Sequence, residues 1–399
     1  MSLVDTVDVP FLRLSDPSFS IRSPEVREAR KRSWYARTPY GIAVLHYEDV
    51  GKLLRDTRLR QGSHAWPAHN NVTGTFTDWW LRIVLNRVGD DHARLRLLAN
   101  PAFSPKPIIA LQPKFTELAN ELIDKFAGRG RCEFMAEFSE PYVTRVICIL
   151  LGFDQSEWRR LADIAADMGL ALGVTFKQDV EKIDKATAAL FDYARGVIEE
   201  RRTRPLGDDF VSLLLQANED KDRLSDQELY DMVVLAVFGG IDTTRNQLGL
   251  AMSVFIENPD QWSLLVDRPE LARSAVEEVM RVRPTTTWIT REAMEDFTYN
   301  DLKIKRGTTI HLFSESAGTD PQQYAPDFDI TAQRKPHFGF GGGPHHCLGH
   351  FIARADMTEG LKALARRIRN PRLDGEPTWL PDSGNTGPIK LPIAFDPES

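Results

Sequence analysis

The chain has 399 residues, 42% hydrophobic and 27% charged, the balance of a folded protein with a substantial core. Its formal net charge of −7 comes without a basic tract, which excludes a nucleic-acid-binding footprint. Met1 to Glu25 carries Asp5, Asp8 and Asp16 and no apolar core, so neither a signal peptide nor a membrane anchor is expected there. The longest apolar stretch, Met232 to Ile241, is about half of what a bilayer crossing needs. Cys132, Cys148 and Cys347 are too few and too scattered for a disulfide framework, which suits a reducing cytoplasm.

Gly41 to Tyr47 alternates as a strand does, and Glu48 to Arg55 reads as a short helix. Ser63 to Thr77 is loop-like and ends at Trp79-Trp80. In Asp91-His92-Ala93-Arg94-Leu95-Arg96, His92 and Arg96 lie one helical turn apart, on one face. Phe115, Leu118, Ala119, Leu122, Ile123 and Phe126 mark an amphipathic helix closed by Gly128, and further helices read over 139–152, 156–170, 181–202 and 208–217. Ser225-Asp-Gln-Glu228 is a capping box, after which the helical pattern runs to Asn258 before Pro259, about 32 residues or ~48 Å. Gly239-Gly240 falls in its middle, where each glycine costs about 1 kcal/mol against alanine, and predicts a kink. Asp242, Thr243 and Thr244 follow in an apolar stretch, a costly placement unless a polar ligand sits there. Glu278 and Arg281 share a helix face. Phe297 to Ile304 and Thr308 to Leu312 look like a hairpin arm around Asn300-Asp301 and Arg306-Gly307, and Pro377 to Phe395 is a proline-rich end with short strands. No repeat or long linker divides the sequence, so a single domain over 1–399 is expected.

The run from His337 to His350, HFGFGGGPHHCLGH, carries the most chemistry. Gly339, Gly341, Gly342 and Gly343 let main chain approach a flat, bulky group. Past Cys347, apolar residues at Leu348, Phe351, Ile352, Ala355, Leu361 and Leu364 predict a helix that starts at the thiol, with Arg354, Glu359 and Lys362 elsewhere on it. Unpaired N–H groups and the positive dipole end there favour thiolate, the metal-ligating form. On the residues alone, an inert cysteine in a turn stays open, as does a zinc site from His337, His345, His346, Cys347 and His350. Adjacent His346 and Cys347 make a poor start for a tetrahedral cage.

Phe340-x-x-Gly343-x-His345-x-Cys347-x-Gly349 resembles the haem-binding loop of the cytochrome P-450 family. Gly-Gly-Ile-Asp242-Thr243-Thr resembles its oxygen-binding motif and Glu278-Val-Met-Arg281 its Glu-x-x-Arg pair. The resemblance spans about His92 to Phe395 with the motifs in order, and implies a mainly α fold, a helix-rich triangular prism with small β-sheets. It implies haem b (iron protoporphyrin IX) with Cys347 as axial ligand and Phe340 beside the sulfur. His92, Arg96, Arg291 and His345 would face the propionates, with Gly239, Gly343 and Gly349 shaping the haem site. Thr243 would hydrogen-bond dioxygen while Asp242 relays protons. Glu278 and Arg281 would form a buried structural pair. The family commonly adds a third partner, an arginine, from a loop after the hairpin; Gly318 to Asp329 has none, and Arg334 stands out of register. His350 replaces a residue that is usually small.

The activity implied is a monooxygenase that uses O2 and inserts one oxygen atom into a small apolar substrate. Its electrons would come ultimately from NAD(P)H through a separate ferredoxin and ferredoxin reductase, with the chain acting as a monomer. A haem-thiolate peroxygenase, isomerase or reductase is the alternative, and a haem sensor a third class; the intact Asp242–Thr243 pair favours the first. Candidate pocket walls hold Trp66, Phe76, Trp79, Trp80, Leu170, Leu172, Phe176, Val237 and Trp288, which compete with a plain core reading.

Overall fold

The computed structural model describes residues 9–16, 18–173, 176–219 and 224–397. Asp5 and Asp8 of the acidic N-terminal stretch, and residues 174–175 between Leu172 and Phe176, lie outside the described residues. Helices dominate and the strands are short, as the resemblance implied.

The long helix runs Asp226–Glu257, as the capping box and Pro259 predict. Ser225 Oγ accepts the Glu228 N–H at 3.3 Å and Glu228 Oε2 accepts the Ser225 N–H at 2.9 Å, which satisfies two orphan donors. It packs against helices Glu140–Leu151, Trp158–Gly169 and Val180–Arg202, each within two residues of its sequence-based bounds at its ends. The helix marked by Phe115 to Phe126 starts earlier than its apolar spacing shows, at Pro105, where proline suits a first turn. It lies along the helix His350–Arg367 that follows the cysteine loop. Ser63 to Thr77 is not all loop: Trp66–Asn70 and Thr75–Arg82 are helical. Inward faces of these helices meet in one large core in which Trp79, Phe115, Phe126, Phe138, Tyr142, Phe255 and Trp262 are essentially inaccessible.

The main sheet has strand order Tyr35–Thr38, Gly41–Val44, Thr309–Phe313, Trp288–Ala293, Leu59–Gln61. Only Gly41–Val44 against Thr309–Phe313 is parallel. The expected arm is therefore divided: Phe297–Tyr299 and Leu302–Ile304 form their own hairpin around Asn300, while Thr309–Phe313 pairs with Trp288–Ala293. Pro392–Asp396 sits between Arg131–Glu133 and Arg369–Leu373 in a second sheet.

Candidate active site

The cysteine loop is folded on itself and pressed against helix Tyr47–Leu53. Gly341 N–H donates to Phe338 O at 2.8 Å, and Cys347 N–H donates to Phe340 O at 2.9 Å. Gly343 has φ +67, and a Cβ there would stand 2.4 Å from Leu54 O, so only glycine fits. The following helix begins at His350, with Gly349 as its cap, not at the thiol as the spacing suggested. Burial pushes the Cys347 thiol up, opposed by a hydrogen bond from the Gly349 N–H and by the charges of Arg96 and Arg354. A helix start alone therefore does not make this sulfur a thiolate, whereas a metal ion in contact would deprotonate it outright. Beyond the loop, Ile352, Ala355, Leu361 and Leu364 are buried as expected; Phe351 is 39% exposed, and Glu359 is buried against Thr116 and Lys362.

The imidazoles of the run do not gather into one cluster, although His346 and His350 lie 4.6 Å apart between ring centroids. His337 Nε2 lies 3.2 Å from Glu277 Oε2, His350 Nδ1 lies 2.9 Å from Arg354 Nη1, and His345 packs against His92 at 4.2 Å between ring centroids. Among the described residues no group of three or more His, Cys, Asp or Glu is placed to hold a metal ion, which removes the zinc reading. Glu277, which the sequence did not single out, and Arg354, read there only as a polar helix position, clamp the loop. Arg354 donates to Glu277 Oε1 at 2.5 Å and Oε2 at 3.1 Å while its guanidinium covers the Phe340 ring at 4.4 Å. Burial alone would push the Glu277 carboxyl up, but hydrogen bonds from His337 and Arg354 outweigh it and hold Glu277 at about 2.

Two guanidinium groups and two imidazoles gather beside the loop, and no carboxylate among the described residues pairs with Arg96 or Arg291. His92 and Arg96, on helix Gly89–Ala99, and Arg291, on strand Trp288–Ala293, all act on the environment of His345. Arg291 is 2% exposed and donates to Gln61 Oε1 and, at 3.2 Å, to Thr290 O. Burial pushes Arg291 down to about 10 and lowers Arg96, whose one opposing influence is Cys347. His345 falls to about 3 through burial and the repulsion of His92, Arg291 and Arg96. With both imidazoles held neutral, the two desolvated guanidinium groups call for an anionic partner.

On the long helix, Gly239 is exposed and Gly240, Asp242 and Thr243 half-exposed, between buried Phe238, Ile241 and Thr244. The helix runs unbroken through the glycine pair. A Cβ on Gly240 would come within 2.6 Å of Ile147 Cδ1, which accounts for that glycine by helix packing; a Cβ on Gly239 would meet nothing within 4 Å. Thr243 Oγ1 donates to Gly239 O at 2.8 Å, leaving its lone pairs toward the open side. Asp242 accepts from Arg245 Nη2 at 3.0 Å and Asn385 Nδ2 at 2.9 Å, partners absent from the sequence reading.

The pocket candidates divide. Val237 is two residues before Gly239, about 200° round the helix, and fully buried on the back. Trp288 lies on the strand face opposite Arg291 and stacks on Phe313 at 5.4 Å, so it faces away; Ile289 shares the Arg291 face. Trp79 and Trp80 are buried in an aromatic cluster with Phe76 and Phe238, their Nε1–H groups donating to Asp231 O and Ser63 O. Leu172 is 38% exposed. The Glu278–Arg281 pair is buried and bidentate at 2.6 and 2.7 Å, and Arg281 also donates to Gly318 O and Asp327 O. Arg334, out of register in the sequence, is the third partner after all, at 3.2 Å from both Glu278 and Asp327.

Residues 156–265 and 260–370 match the family described as Cytochrome P450. Luteothin monooxygenase of Streptomyces thioluteus is 40% identical, over 97% of this chain and 96% of its own. The chain belongs to the cytochrome P450 family. This cytochrome P450 is also 32% identical to the mycinamicin IV hydroxylase/epoxidase of Micromonospora griseorubida, over 97% of this chain and 98% of that one. The crystal structure of CalO2 superposes with a TM-score of 0.87 at 28% identity, covering 96% of this chain and 100% of that one. As a cytochrome P450 it is a haem-thiolate monooxygenase, which uses haem b, O2 and electrons from NAD(P)H. The residues present fit haem: a half-buried thiol, two desolvated guanidinium groups with no carboxylate partner among the described residues, and open space over Gly239. Among the described residues no helix is long and apolar enough to cross a membrane.

Proposed function

We propose that Cys347 is the axial thiolate, that Arg96, Arg291, His92 and His345 hold the propionates, and that Asp242 and Thr243 deliver protons. When bound, haem supplies the activation of O2 that places one oxygen atom in the substrate. Gly349 N–H steadies the sulfur, and the Cys347–Phe340 main-chain bond keeps it on the loop. Thr243, anchored on Gly239 O, offers lone pairs to a proton-bearing ligand on the open side. Asp242 carries the proton that Thr243 orients. The open space over Gly239 and the apolar Ile289 on the Arg291 face of its strand suit an apolar organic substrate like those of the family. Electrons reach the chain, a single cytoplasmic domain acting as a monomer, from a ferredoxin and its reductase that dock on the cysteine side.

The observation that carries this reading is Arg96 beside Cys347 and Arg291 beside His345, with no carboxylate among the described residues to pair them. Cys347→Ser is expected to lose the carbon-monoxide difference band of a thiolate-ligated haem. An unchanged band in the purified variant overturns the ligand assignment.

A further inference from the structure

Asp242 is held from three directions. Oδ1 accepts from Arg245 Nη2 at 3.0 Å and Asn246 Nδ2 at 3.3 Å, and Oδ2 accepts from Asn385 Nδ2 at 2.9 Å. Arg245 also meets Glu140 Oε1 at 3.2 Å, so Arg245 and, behind it, Glu140 are the charged groups facing Asp242 among the described residues. From helix Trp158–Gly169 the approach is made by Gly169, whose Cβ would lie 3.8 Å from Asp242 Cγ and which brings no side chain.

Behind Asn385 the proton count does not close. Thr285 Oγ1 lies 2.8 Å from Asn385 Oδ1 and 2.7 Å from Thr386 O, both acceptors only. A hydroxyl has one proton to give. Thr285 and Thr386 are 4% and 1% exposed, so bulk water does not reach the hydroxyl or Thr386 O, while Asn385 itself is half-buried. With Asp242 ionised the amide must keep Nδ2 toward the carboxylate, which can only accept, and one of the two acceptors around Thr285 goes without its proton. If the amide turns over, Nδ2 donates to Thr285 Oγ1 and the Thr285 proton goes wholly to Thr386 O. Oδ1 then faces Asp242 Oδ2, which is repulsive for a carboxylate and favourable for a carboxylic acid.

We propose that Asn385 is a positioning residue whose side-chain amide turns over when Asp242 takes up a proton, so that residues 382–386 hold the carboxyl in both of its states. One proton from solvent joins Oδ2 and is donated to Asn385 Oδ1; no electron moves, and its departure returns the amide. The pivot is anchored, because Thr285 N–H donates to Gln247 Oε1 on the long helix at 2.7 Å and Thr386 N–H donates to Thr285 O at 2.8 Å. The inference rests on Asp242 as a proton carrier and adds how its proton-bearing state is accommodated.

The test is an infrared pH titration of the haem-loaded enzyme, with the Asp242 carboxyl band identified by its loss in Asp242→Asn. Thr285→Val removes one hydrogen bond from the ionised arrangement and two from the protonated one. The midpoint is expected to fall by roughly 0.4 to 1 pH unit, the range that one neutral hydrogen bond supplies. Thr285→Ser keeps the wild-type midpoint, and Thr285→Val has no effect in an Asn385→Leu background; Thr285→Ala reads the same shift if the valine variant does not fold. An unmoved midpoint, an equal shift without Asn385, or no titrating band at all overturns the proposal. Product formed per electron in Asp242→Asn is measured alongside. If that ratio is unchanged the relay reading fails, yet the titration still decides whether the amide turns.

Discussion

Arg291 shows what a single residue discloses about an absent partner. A guanidinium with 2% exposure, bonded only to an amide oxygen and a carbonyl, keeps its charge against burial that pulls it down to about 10. Such a charge is tolerated when an anion completes it. Arg291→Leu is therefore expected to speed haem loss by roughly 10- to 150-fold, the worth of one charged hydrogen bond. Transfer of haem to excess apomyoglobin measures the rate, and an unchanged rate removes Arg291 from the propionate set. At this scale the sequence was legible where a pair has a fixed spacing, as at Glu278 and Arg281, and illegible where partners are remote. Asn385 meets Asp242 across 143 positions and Arg354 meets Glu277 across 77, and nothing local to either residue marks the meeting.

Among the elements, the long helix was legible because its signals are local: a capping box at one end and a proline past the other. The glycine pair in its middle does not end it, and Gly240 there serves the close approach of Ile147. The helix after the loop was placed three residues early because apolar spacing does not register that Cys347 N–H bonds to Phe340 O and leaves the helical pattern. Between these helices the cysteine loop depends on Glu277, with His337 and Arg354 on one carboxylate. That carboxyl sits at about 2 in the folded state against an ordinary 4.5. A depressed carboxyl stabilises above its unfolded value and loses that contribution as the solution is acidified through its folded value. The clamp is thus complete above about pH 4.5 and released toward pH 2. Glu277→Gln is expected to loosen the loop at neutral pH and to flatten this acid-dependent part of the haem absorbance titration. A variant whose acid profile overlays the wild type would deny Glu277 that function.

For the whole molecule, three segments meet at Glu278: helix Ala272–Val282, the stretch from Gly318 to Asp327, and Arg334 on the way to the cysteine loop. The site depends on this junction, since the stretch after Arg334 leads directly into His337 and the haem loop. Read in sequence, the missing arginine put the loop in doubt; in space, Arg334 reaches the same carboxylate, a contact that register alone does not predict. The triad is asymmetric. Removing Glu278 leaves the buried Arg281 without a carboxylate partner, while Arg334 keeps Asp327. Removing Arg281 leaves Glu278 still paired with Arg334, though the carbonyls of Gly318 and Asp327 lose a donor. Glu278→Leu is therefore expected to cost about 3–5 kcal/mol, and Arg281→Met measurably less, because a buried charge stranded without its partner carries most of the penalty. Urea midpoints of the two variants, compared at equal haem occupancy, give the order. If Arg281→Met is the more damaging, the carbonyl bonds of Arg281 rather than the ion pairs of Glu278 hold the junction together.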